Sequence, residues 1–145
     1  MVFRKALVVM AMMVGMTSAQ AEVVYKVGST PTGVPFTFLD ANTNTIQGMM
    51  VDVIGEIGKD AGFKVEIQPL QFSALIASLT SGKIDIIAAA MTGSPERAKV
   101  VDFSKDVYAY GEGLVVRSSD TTDYIGFADM KGRKAGAQIG TRYID

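Results

Sequence analysis

Apolar residues recur along this chain at two spacings, and the spacings alternate. Positions 23–28 (VVYKVG) read as a strand, and positions 63–67 alternate as a second one. Between them the period changes. Met50, Val51, Ile54 and Ile57 fall on one stripe of a helix predicted over 48–61, which Gly62 closes. Gly55 and Gly58 weaken that helix from within, so packing has to hold it. A second helix is predicted over 72–80, carrying Leu75, Ile76 and Leu79, and a near-continuous apolar strand over 84–89. Residues 29–44 are rich in Thr, Pro, Gly and Asn and read as a loop, with Phe36 and Phe38 alternating inside it. Further on, 113–117 reads as a strand, 118–122 as a polar linker, 127–132 as a short helical turn and 133–138 as a strand. Gly140 and Thr141 open another helix.

Strand–helix–strand repetition predicts an α/β fold with a parallel, doubly wound sheet. Ligands of such sheets gather at the carboxyl ends of the strands. The segments 30–38, 69–72 and 92–97 all lie at such ends, and no internal repeat interrupts the pattern.

The first 21 residues stand apart from it. Arg4 and Lys5 form a basic start, 6–16 an apolar Met-rich stretch, and Ala19-Gln20-Ala21 a small-residue cleavage site. The apolar run is shorter than the ~18–20 residues that span a bilayer. A cleaved leader, an N-terminus at Glu22 and a periplasmic location are therefore expected. Removing Arg4 and Lys5 leaves 12 basic against 15 acidic residues, a net charge of −3, which argues against nucleic-acid binding. The chain has no Cys and no His. That excludes a zinc-type site, disulfides and thiol or imidazole catalysis, and no metal or cofactor is expected. Carboxylate, hydroxyl, Lys, Arg and Tyr chemistry remains.

The most informative stretch is 83–104, KIDIIAAAMTGSPERAKVVDFS. Its strand ends near Ala90, and Thr92-Gly93-Ser94 form a turn. Ser94 reads as a helix N-cap, with Pro95 at the first helical position and Glu96 in the first turn. Hydroxyls and free amides beside a helix start suit an anion. Arg97 adds a fork that can clamp a carboxylate. An ordinary cap with a solvated Arg fits these residues as well.

Neighbouring residues carry a resemblance. Gly82-Lys83-Ile84-Asp85, Thr92-Gly93-Ser94-Pro95-Glu96-Arg97 and Val101-Asp102-Phe103-Ser104 resemble the signature of periplasmic solute-binding proteins that serve polar amino-acid transporters, the bacterial extracellular solute-binding proteins of family 3. Gly48 with Asp52, Phe72 before a helix, Asp129-Met130-Lys131-Gly132 and Gly140-Thr141 extend the match across residues 23–141. The resemblance implies two α/β lobes closing over a free amino acid. Residues 22–118 would form most of lobe one and 119–145 the start of lobe two, in an N-terminal fragment of a longer receptor. Arg97 would bind the ligand's α-carboxylate, assisted by Thr92, Ser94 and the backbone at Ala90. Phe72 would pack on the ligand side chain, and Thr141 would meet the carboxylate from lobe two. On spacing alone Phe72 is equally a core residue and Thr141 a plain N-cap. Asp52, Asp85 and Asp102 read as structural: a helix-start charge, a strand-end partner and a turn residue.

Two departures from the pattern bear on the site. A first-loop aromatic common in the family falls at Gly33, so ring stacking from that side is lost unless Phe36 or Phe38 replaces it, and each of these reads equally as plain core. Ser94 stands for a second Thr and keeps the hydroxyl. Tyr108 and Tyr110 line either the cleft or the hinge. The function implied is that of a monomeric, non-enzymatic receptor delivering an amino acid to an ABC importer permease in the inner membrane. The same fold hosts cyclohexadienyl-dehydratase-like enzymes and sensory domains of larger membrane proteins, which stand as alternatives. With one turn of the second lobe's ligand-facing helix, the 145-residue chain is not expected to bind amino acids tightly by itself.

Overall fold

The computed structural model describes residues 22–111 and 113–144. The leader expected over 1–21, with its cleavage after Ala21, lies outside the described residues. So does Glu112, next to the strand expected at 113–117.

Strand β1 (Val24–Ser29) is the centre of a three-stranded sheet. It pairs in parallel with β5 (Lys64–Pro69), from Val24 against Lys64 to Ser29 against Pro69, and on its other edge with β6 (Ile86–Ile87). Helix α1 (Met49–Ala61) packs on one face. Val27, Ile54 and Ala88 are buried there, flanked by Met50, Val65, Ile67 and Ile86. Helix α2 (Leu75–Thr80) packs on the other face, where Leu75, Ile84 and Ala89 are buried among Leu70, Phe72, Leu79, Ile87 and Met91. A parallel sheet with a helix on each face is the predicted architecture. Gly28 is required by it. A Cβ there would sit 2.5 Å from Ile84 Cδ1 and 2.9 Å from Leu75 Cδ2, so any larger residue would have to push these two buried side chains aside.

Helix α1 forms as its stripe predicts, and Gly62 ends it in the left-handed conformation. The stripe is narrower than expected, because Ile57 remains exposed. Gly58 is in place because a Cβ there would meet the Phe63 carbonyl oxygen at 2.8 Å.

Other elements differ from expectation. Residues 29–44 are not a plain loop. They hold β2 (Thr32–Gly33) and β3 (Thr37–Asp40), which with β4 (Thr45–Gln47) form a small antiparallel sheet. Asp40 Oδ1 accepts from the N–H groups of Asn42 and Thr43 and sets the β3–β4 turn. The helix expected at 72–80 opens instead with a 3₁₀ turn (Phe72–Ala74). The strand expected over 84–89 reduces to β6. Asp85 Oδ2 caps the Lys26 N–H at its start, and the N–H groups of Lys83 and Ile84 turn back to the Ser78 carbonyl. The helix expected after Ser94 is a single 3₁₀ turn (Arg97–Lys99). Beyond it, 113–117 and 133–138 form no ladder: with no described strand beside them, their β-propensity has nothing to pair with. The segment after Gly140 is one more 3₁₀ turn (Arg142–Ile144), like that at Phe127–Met130. No helix among the described residues is long and apolar enough to cross a membrane.

Candidate functional site

The carboxyl ends of β1, β5 and β6 open onto a cleft of about 480 Å³. Its walls include Thr30 and Gly33 after β1, Phe72 after β5, and Ala90, Thr92 and Arg97 after β6. Gln138 and Thr141 close it from the C-terminal segment. The three strand-end segments picked out by the topology rule thus converge on one volume.

The turn after β6 is shaped by Ala90, a non-glycine residue at φ +49°. That conformation is uncommon outside glycine, Asn and Asp, and such outliers gather at functional sites. Ser94 then fixes Arg97 from behind. Its Oγ accepts from the Arg97 N–H at 3.3 Å and its carbonyl from the Ala98 N–H at 2.9 Å. The Arg97 guanidinium folds back over the turn. Nη1 donates to the Thr92 carbonyl at 2.6 Å and Nη2 to the Gly140 carbonyl at 2.7 Å. The guanidinium carbon lies 5.8 Å from the centre of the Phe72 ring. A guanidinium has five N–H donors, and two are committed here. The other three make no hydrogen bond among the described residues.

Opposite Arg97, Gly140 adopts φ +84°, and a Cβ there would come within 3.0 Å of Ser73 Cα, so glycine alone fits this approach. The Thr141 hydroxyl donates to the Gln138 carbonyl at 2.6 Å, which commits its one proton within this segment. Gln138 Nε2 donates to Thr32 Oγ1 at 2.8 Å, and Thr32 shares a hydrogen bond with Thr30 Oγ1 at 3.2 Å.

Arg97, Thr92, Ala90, Phe72 and Thr141 therefore meet in the cleft, while Ser94 does not line it. Ser94 acts on the position of Arg97 and on Glu96. That carboxyl lies below its ordinary range because of its own backbone N–H, then the Ser94 hydroxyl, then nearby Arg142. The expected anion site at a helix start is corrected as well. One 3₁₀ turn has no sizeable dipole, and Ser94 already takes the Arg97 and Ala98 amides, so the cationic group the turn offers to the cleft is the guanidinium. Of the two candidate rings, Phe36 lines the cleft and Phe38 does not. Tyr108 and Tyr110 line it too.

Sequence reasoning missed Gln138, Thr32 and the Gly140 carbonyl. Polar residues in loops are common, and nothing in their spacing announced a bond across 106 positions. It also missed Asp120, read as part of a polar linker. Asp120 accepts from the Thr122 N–H, the Tyr124 hydroxyl and Arg133 Nη1, and its carboxyl is held down to about 2, chiefly by Thr122 and Tyr124.

A second hollow, of similar volume, lies between α1, β6 and residues 101–108. It shares Phe36, Ala89, Ala90, Thr92, Asp106, Tyr108 and Tyr110 with the cleft, so the two adjoin along that wall, but Arg97 does not reach it. The cleft holding the guanidinium is the better candidate. Among the described residues no group of His, Cys, Asp or Glu could hold a metal ion.

The chain is similar to known proteins. Residues 25–138 match the family model of the bacterial extracellular solute-binding proteins, family 3. The chain belongs to this family. Its relatives include the arginine-binding extracellular protein ArtP of Bacillus subtilis, 35% identical over 107 residues, covering 74% of this chain and 40% of that protein. A probable histidine-binding protein of Campylobacter jejuni is 35% identical over 123 residues, covering 85% of this chain and 47% of the relative. Among solved structures, an ancestral arginine-binding protein bound to arginine superposes with a TM-score of 0.54 at 43% identity, covering 56% of this chain and 35% of that one. This family 3 chain thus spans less than half the length of these curated relatives.

Proposed function

We propose that this protein is a periplasmic amino-acid receptor that hands its ligand to the permease of an ABC importer. It acts by capture and closure, as a monomer and without chemistry of its own. The observation that carries this is Arg97: a guanidinium seated in the cleft, fixed by Ser94 and Thr92, with three donors uncommitted. A ligand carboxylate is the acceptor whose shape fits such a fork. Relatives named for binding arginine and histidine support an amino acid as the bearer of that carboxylate. In this reading residues 22–118 are lobe one and 119–145 the beginning of lobe two. Thr92 and the backbone at Ala90 assist Arg97. Phe72 packs on the ligand side chain, and Thr141 meets the ligand from the second lobe.

The clamp is open to water on one side, and exposed ion pairs contribute ~0–1 kcal/mol. Affinity in the millimolar range is therefore expected for the chain as it stands. Backbone and guanidinium NMR signals followed through titrations with the twenty L-amino acids test the reading. Amino acids should shift the Arg97 signals of the wild type, and Arg97→Ala should abolish the response of Thr92 and Thr141. Arg97→Lys should rescue it poorly, since an ammonium lacks the fork. In a chain carrying both lobes, where the pair is enclosed, Arg97→Ala should cost roughly 2–5 kcal/mol of binding. An unchanged response in Arg97→Ala would remove Arg97 from the site.

A further inference from the structure

Three aromatic rings gather on one wall of the cleft. The Phe36 centroid lies 5.0 Å from that of Tyr110 and 5.7 Å from that of Tyr108. The two tyrosine rings lie 6.3 Å apart with planes 23° from parallel. All three stand where the volume that holds Arg97 adjoins the hollow beside α1, and they line both. Rings that only build a core are covered, but Tyr108 and Tyr110 are 60% and 48% exposed. Their faces are available to something that enters the cleft.

Asp106 lines the same cleft. Residues 106, 108 and 110 alternate along a stretch with no helical turn, the spacing that puts side chains on one side of an extended chain. Asp106 is the one carboxylate among the cleft's lining residues, where the other charged groups are Arg97 and Arg142. Arg97 serves the carboxylate anchor. Arg142 is near enough to Glu96 to help hold that carboxyl below its ordinary range, so part of its charge is answered there.

Ring faces carry negative charge density and attract cations, and a carboxylate beside them adds a Coulomb term of the same sign. A neutral side chain on this wall gains apolar contact alone. Resting on the amino-acid reading above, we propose that Phe36, Tyr108, Tyr110 and Asp106 form the side-chain subsite and that the ligand is a basic amino acid. Its α-carboxylate sits on Arg97. Its guanidinium or ammonium group lies over the tyrosine rings and against Asp106. A planar guanidinium stacks on rings better than an ammonium does, so arginine is preferred over lysine.

The test is a set of NMR titrations of the whole chain with L-arginine, L-lysine, L-glutamine and L-norleucine, reading the Arg97 signals and the ring signals of Tyr108 and Tyr110. Arginine should half-saturate at a concentration about two- to fivefold below that of glutamine, the worth of an exposed cation–ring contact. Asp106→Asn, at an exposed position that should tolerate it, and Tyr110→Leu should each weaken arginine more than glutamine and so bring the two together. Glutamine or norleucine matching arginine, with Arg97 responding to both, would overturn the subsite and leave the receptor reading intact. A preference for arginine that both variants retain would overturn its assignment to these residues. Ring shifts with arginine that persist in Arg97→Ala would support the subsite and overturn the anchor. Silence of Arg97 and the rings towards all four would overturn both.

Discussion

Residues 24–91 and residues 100–143 have similar shares of apolar side chains and opposite fates for them. In the first stretch Val27, Leu75 and Ile84 are fully or almost fully buried, and the described buried apolar residues all fall between Val27 and Ala89. In the second, Val115 is 93% exposed and Phe127 84% exposed. The difference is not one of composition. β1 has a strand on each edge and a helix on each face, so what it turns inward is covered. The second stretch has turns, local bonds and scattered approaches to the first, through Gln138–Thr32, Gly140 against Ser73 and the Phe36 ring beside Tyr108 and Tyr110. Apolar pattern says which residues favour burial, and partners decide whether they reach it.

The largest expected effect breaks the comparison at its packed end. Leu75→Ala should destabilise the sheet region by about 2–5 kcal/mol, as a cavity at a fully buried leucine does. Val115→Ala should move stability by less than about 0.5 kcal/mol. Denaturant unfolding followed by circular dichroism measures both, and similar costs for the two would erase the distinction. Gly28→Ala should cost about 1–3 kcal/mol in the same assay, because its methyl would meet Ile84 and Leu75 inside contact distance.

The smallest effect sharpens the comparison through pH. Asp120 has its carboxyl lowered from an ordinary 3.8 to about 2, so the order it lends 120–133 is complete above about pH 4 and is lost as the pH falls towards 2. Asp40, lowered by the Thr43 and Asn42 N–H groups, loses its turn in the same direction. Among the described residues no charged side chain is buried in the sheet core. Acid titration by NMR should release the Tyr124 signals before those of Val27 and Leu75, and simultaneous loss would contradict this.

What could be read beforehand follows the same division. The strands and helices around Val27, Ile54 and Leu75 were legible because their periodicity was answered by real neighbours. The strands expected at 113–117 and 133–138 have the right residues and no described partner. The helix after Ser94 stopped at one turn that begins past Glu96, and of the expected cap only the bond from the Arg97 N–H to Ser94 Oγ is present. In the site, Arg97, Thr92 and Phe72 were legible from where they fall after strands. The hairpin within 29–44 was hidden behind its Thr, Pro and Gly content, although the alternation of Phe36 and Phe38 was present. The Gly140 carbonyl and the Gln138 amide were not legible, since a backbone oxygen has no sequence signature and a lone glutamine carries almost none.

The central claim is that Arg97 holds the α-carboxylate of an amino acid. Comparing L-arginine with L-argininamide tests it most directly, because the amide keeps the side chain and the amino group but lacks the carboxylate. The two should be titrated into the same sample while the Arg97 guanidinium signals are followed. L-arginine should shift those signals and L-argininamide should not, although both perturb Tyr108 and Tyr110. Equal shifts at Arg97 from both ligands would contradict the claim.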